Sequence, residues 1–114
     1  MCSKEKLDAI LSEVTKSMKD LFGRNLKWIK LYGSYARGDY DDESDIDIMV
    51  LVDMNKYELM KYRKIVSDIA CNIGLVQNDI LLSIKLQDYD TFRKWRNDLP
   101  YFENILKEGI TIHA

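Results

Sequence analysis

Apolar residues at the start of the chain recur at intervals of three and four. Leu7, Ile10, Leu11, Val14, Met18, Leu21 and Phe22 form one stripe, with lysines and acids opposite. That spacing predicts an amphipathic helix, with Ser3 as its N-cap and Gly23 as its stop. The period then changes. Residues 26–33, LKWIKLYG, alternate as a strand does, and a loop rich in Gly and Asp follows. Residues 45–52, DIDIMVLV, read as a second, mostly buried strand. Asn55 with Glu58 three places on forms a capping box. It opens a helix whose face is Leu59, Tyr62, Val66, Ile69, Ala70 and Ile73, and which Gly74 ends. Residues 78–86, NDILLSIKL, predict a third strand. Asp90 caps a short helix running to Trp95, and Pro100 opens a last helix that Gly109 stops. The predicted order is helix, strand, strand, helix, strand, helix, helix.

Composition narrows the class. With 114 residues the chain is read as one domain over 1–114, long enough for a single core. A net charge of −2 and a pI near 5.4 argue against general nucleic-acid binding, which needs a basic face. No apolar run exceeds the five residues 48–52, so no membrane span is expected, and the N-terminus lacks the apolar core of a signal peptide. Cys2 and Cys71 make no framework; Cys71 is read as a small core residue and the setting as reducing and cytoplasmic. His113, the only histidine, is read as a solvated tail residue. Histidine-based acid–base chemistry and histidine-rich zinc sites fall away with it.

Candidate chemistry is concentrated in residues 33–47. In a strand, residues i and i+2 share a face, so Asp45 and Asp47 project together while Ile46, Ile48 and Val50 face the core. Two carboxylates about 6–7 Å apart can converge on hard cations. Magnesium or manganese suits such oxygen-rich sites, with phosphate oxygens and water completing the shell. Pairs of these ions, about 3.5–4 Å apart, stabilise the attacking and leaving oxygens of phosphoryl or nucleotidyl transfer. Gly33 lets the backbone come close to a ligand, Ser34 adds a hydroxyl donor, and the Arg37 fork suits phosphate oxygens.

GSYARG at 33–38, followed after five residues by SDIDIMV, closely resembles the two-part signature of the DNA polymerase beta-like nucleotidyltransferases, G-S-x-A-R-G with a downstream S-D-x-D. Among them the chain looks most like the minimal nucleotidyltransferases (MNT proteins), which are about this short. The resemblance implies an α/β (α+β) fold with a small mixed sheet of about three strands packed with helices, and the element order above agrees with it. It also implies that Gly33 and Ser34 hold the triphosphate of ATP, that Arg37 contacts phosphate or braces the loop, and that Asp45 and Asp47 bind two Mg2+ or Mn2+ ions. The family places a third carboxylate on the third strand, where it activates the attacking hydroxyl and shares a metal. Asp79 is the candidate here, sharing a face with Leu81 and Ser83, with Asp88 or Asp90 next in line.

The remaining features read more plainly. Asp39, Asp41, Asp42 and Glu43 form a solvated acidic loop, and Ser44 orients Asp45 or caps the turn. Phe92, Trp95 and Trp28 are read as core, and Arg93, Lys94 and Arg96 as solvated. What the resemblance implies is AMP transfer from ATP to an acceptor hydroxyl. MNT proteins commonly work beside a HEPN-type partner in toxin–antitoxin pairs, and some adenylylate it. A small-molecule acceptor, as in the aminoglycoside nucleotidyltransferases, is the enzymatic alternative. A non-catalytic antitoxin of the same fold is the other.

Overall fold

A computed structural model describes residues 3–41 and 43–114. Cys2 and Asp42, noted above, lie outside the described residues. The first helix, α1, spans Lys4–Phe22, and the Ser3 hydroxyl caps it by accepting the Lys6 N–H at 3.1 Å. Gly23 ends it as expected and opens a short 3-10 turn over Gly23–Asn25. Strand β1, Leu26–Tyr32, leads through a four-residue helix, α2, Ser34–Arg37, into strand β2, Ile46–Val52. Helices α3, Lys56–Met60, and α4, Arg63–Cys71, cross to strand β3, Leu82–Asp88. Helices α5, Tyr89–Trp95, and α6, Pro100–Glu108, then return the chain to strand β4, Ile110–His113.

The four strands form one mixed sheet in the order β3-β2-β1-β4. β1 pairs antiparallel with both β2 and β4, and β3 pairs parallel with β2. Alternation along β2 divides the core. Ile46, Ile48, Val50 and Val52 face the larger cluster with Ile10, Val14 and Met18 of α1 and Val66 of α4. Met49 and Leu51 face a smaller one with Phe92 of α5 and Phe102 and Ile105 of α6. Ile46, Ile48, Val50 and Val52 are each 0% exposed, and each such side chain is worth about 1.5–3 kcal/mol on burial. That anchorage fixes the register of β2 and therefore where Asp47 points.

Several expectations need correction. The sheet has a fourth strand, because residues 110–113 pair with β1 rather than trailing into solvent, and His113 lies half-buried opposite Ile29. The single second helix is two, broken at Lys61 and Tyr62, although Asn55 does cap α3 by accepting the Tyr57 N–H at 2.8 Å. Gly74 does not stop it. The helix widens into a π turn over Asn72–Val76, where Gly74 is buried so closely that an added Cβ would lie 2.6 Å from the Ile80 carbonyl oxygen. The N-cap of α5 is Asp88, whose carboxylate accepts the Thr91 N–H at 2.9 Å; Asp90 sits in the first turn. Cys71 and Trp95 are exposed, whereas Phe92 is buried. Among the described residues no helix is long and apolar enough to cross a membrane.

Candidate active site

The motif loop takes its shape from Gly33. This residue has φ +73, a conformation that side chains rarely adopt, and it serves as N-cap of α2. Its carbonyl accepts the N–H groups of Ala36 and Arg37, both at 3.1 Å, closing one tight helical turn. Tyr35 turns inward and is buried, its ring stacked on Tyr40 at 4.2 Å between centroids. Gly38, at φ +85, ends the turn.

Space at Gly33 ties this loop to β2. A Cβ built on Gly33 would stand 2.6 Å from Oδ2 of Asp47. The glycine and the carboxylate therefore occupy adjoining space, with no room for a methyl group between them. Asp47 lies within β2, half-buried, opposite Tyr32 of β1. Asp45 precedes the strand by one residue and is exposed. Burial, and after it the charge of Asp45, raises the pKa of Asp47; Lys85 and Arg37 oppose that rise. Two neighbouring carboxylates at the start of a strand, one partly desolvated and repelled by the other, are an electrostatic environment that favours a cation.

The loop between the motif halves is held by its own turn. Asp41 Oδ1 accepts the Glu43 N–H at 2.9 Å and the Ser44 hydroxyl at 3.2 Å, and Ser44 Oγ accepts the Asp41 N–H at 2.9 Å. Ser44 thus caps the turn, one of its two expected roles. Arg37 is exposed at the end of α2, 3.2 Å from Asp39 and 3.6 Å from Glu108 of α6. The hydrogen bond and charge of Asp39 raise its pKa.

Asp79 is placed differently from the expectation. β3 begins at Leu82, so Asp79 lies three residues before the strand, exposed, in a turn with φ +53. The turn follows from the π-helical end of the preceding helix, where the Asp79 N–H donates to the Leu75 carbonyl. The unbroken parallel register instead sets Ser83 opposite Asp47 and Lys85 opposite Met49. The shared face invoked for Asp79 therefore begins only beyond it. Among the described residues no three of His, Cys, Asp and Glu come together as a metal-binding group.

Tyr32 completes the wall beside Asp47. Its ring meets that of Tyr101 edge-on, 6.4 Å between centroids. Burial first, then the neighbouring Tyr101 hydroxyl, raises the Tyr32 pKa and keeps its own hydroxyl protonated. Of the two tyrosines, Tyr32 did not stand out in the sequence. Their pairing joins β1 to α6, and only the return of α6 across the sheet brings it about.

A model of the nucleotidyltransferase domain matches residues 11–109. The chain belongs to the nucleotidyltransferase domain family. It is 31% identical over 103 residues to the candidate protein adenylyltransferase MJ0604 of Methanocaldococcus jannaschii, covering 90% of this chain and 94% of that protein. It is 36% identical over 50 residues to the protein adenylyltransferase MntA of Thermococcus cleftensis, covering 44% of this chain and 48% of that one. Among solved structures, one chain of a toxin–antitoxin crystallised with AMP-PNP superposes with a TM-score of 0.51 at 21% identity, covering 90% of this chain and 71% of that chain. The fold is that of the polymerase beta-like nucleotidyltransferases, and the chain is a nucleotidyltransferase.

Proposed function

We propose that this nucleotidyltransferase moves AMP from ATP to a hydroxyl of a partner protein in the cytoplasm. The observation that carries the reading is the contact between the motif loop and β2, where Gly33 leaves room only for the Asp47 carboxylate. Relatives bearing the name protein adenylyltransferase support AMP as the group moved. The toxin–antitoxin neighbour supports a protein acceptor, with a HEPN-type toxin as the specific candidate.

Asp45 and Asp47 would hold magnesium or manganese, and their proximity and the raised Asp47 pKa fit such a cation. The bound ion would supply the positive charge that lets a triphosphate approach two carboxylates. Gly33 and Ser34 would receive the triphosphate where the backbone turns out of β1. Arg37 would exchange its exposed ion pairs for phosphate oxygens at little cost, since solvent screens such pairs. The acceptor oxygen then attacks the α-phosphorus, the bond to the pyrophosphate oxygen breaks so that pyrophosphate leaves, and the hydroxyl proton passes to solvent water.

The test is direct. The purified chain, magnesium and ATP labelled at the α-phosphate are incubated with the product of the adjacent gene. Label should appear on that partner and be absent with Asp45→Asn. If the partner stays unlabelled and is neutralised equally well without ATP and by Asp45→Asn, the chain is a binding module. Label on a small hydroxylated acceptor alone would replace the protein by a small molecule.

A further inference from the structure

On the side of β2 away from the motif loop, the chain presents a cation to the aspartates. β3 follows β2 in parallel register over seven residues, so Ser83 and Lys85 share the sheet face that carries Asp47 and Met49. The Lys85 ammonium lies 5.7 Å from the centre of the Tyr101 ring. Tyr101 in turn meets edge-on the ring of Tyr32, which stands opposite Asp47 on β1. Tyr101 thus links the lysine to the wall of the site.

Lys85 forms no ion pair with any described residue, while Arg37, Lys61, Lys64, Arg93 and Lys107 each do. Lys85 also lines a depression of about 540 Å³ along the outer edge of β3, together with Lys56, Arg63 and Ile84.

We propose that Lys85 is a nucleotide-binding residue whose ammonium takes phosphate oxygens of a triphosphate bound over the sheet face that carries Asp47 and Ser83. This rests on the nucleotidyl-transfer reading of the Asp45 and Asp47 site. The role suits lysine, a mobile point charge on a flexible stem that can follow phosphate as it changes during transfer. A different role would be a guard on the outermost strand, where a charged side chain discourages pairing with another sheet edge. A guard works with either sign of charge. A phosphate ligand works with only one.

Calorimetry with a non-hydrolysable ATP analogue in magnesium separates these roles. Lys85→Gln should weaken binding by on the order of tenfold, Lys85→Glu should weaken it further, and Lys85→Arg should restore most of it. Thermal midpoints should barely move, because Lys85 is exposed. Binding by Lys85→Gln and Lys85→Glu equal to that of the wild type overturns the inference and leaves the nucleotide site intact. So does faster turnover by Lys85→Glu, which would show that the position wants an acid. A wild-type chain that binds no analogue overturns the nucleotide site and this inference together.

Discussion

Gly33 and Asp47, fourteen positions apart in the chain, adjoin so closely that a Cβ on the first would lie 2.6 Å from a carboxylate oxygen of the second. The contact ties the loop at the end of β1 to the start of β2. It places the Asp47 carboxylate against the Gly33 backbone, in space that any side chain at position 33 would fill. The same glycine has φ +73, so space and backbone conformation impose the same choice of residue.

Gly33→Ala should therefore fail twice. Backbone strain at such a φ costs on the order of 1–3 kcal/mol, and the new methyl group must also displace Asp47. Denaturant unfolding should show a loss of at least that order. Nucleotide binding should fall much further than the remaining folded fraction explains. An alanine variant with wild-type stability and wild-type binding would mean that the loop relaxes freely and that the contact does not shape the site.

Asp47 makes a prediction about pH and metal. Its pKa is raised above 3.8, first by burial and then by Asp45, so the folded state holds that proton more tightly than the unfolded chain does. The linked stability is complete below the unfolded value and is lost as pH rises through the folded one. At neutral pH the ionised Asp47 is thus a net cost to the fold. Asp47→Asn should raise the thermal midpoint in metal-free buffer at pH 7, leave it nearly unchanged at pH 3, and abolish transfer. Magnesium should raise the wild-type midpoint and do little for the variant. A wild-type midpoint indifferent to magnesium would remove the cation from this site.

Legibility in the sequence followed the strength of the local signal. The stripe of α1 and the alternation of β2 each commit many apolar residues to one face, and both elements appear where that pattern puts them. The motif residues from Gly33 to Asp47 come together because one hairpin contains them all. β4 was hidden for the opposite reason. Its four residues have no core pattern of their own and become a strand only because β1 offers a free edge. Gly74 misled because glycine stops helices by taking positive φ, whereas here it is needed for its small size. Tyr32, Tyr101 and Lys85 come from three separate elements, and only the assembled sheet makes them neighbours of Asp47.

The placement of Asp79 gives the last prediction. At φ +53 it occupies the left-handed region, which Asn and Gly tolerate and β-branched residues do not. Asp79→Asn should leave both stability and turnover within about threefold of the wild type, because the residue stands before β3 and off the face shared by Asp47 and Ser83. Asp79→Val should cost roughly 1–2 kcal/mol in unfolding free energy from the backbone alone, with turnover per folded molecule preserved. Single-turnover rates with labelled ATP, set beside unfolding curves for both variants, separate these effects. General-base catalysis contributes about 10²–10⁴-fold. A loss of that size in Asp79→Asn, with nucleotide binding intact, would make Asp79 the proton acceptor after all and require its turn to close on the aspartate pair during the reaction.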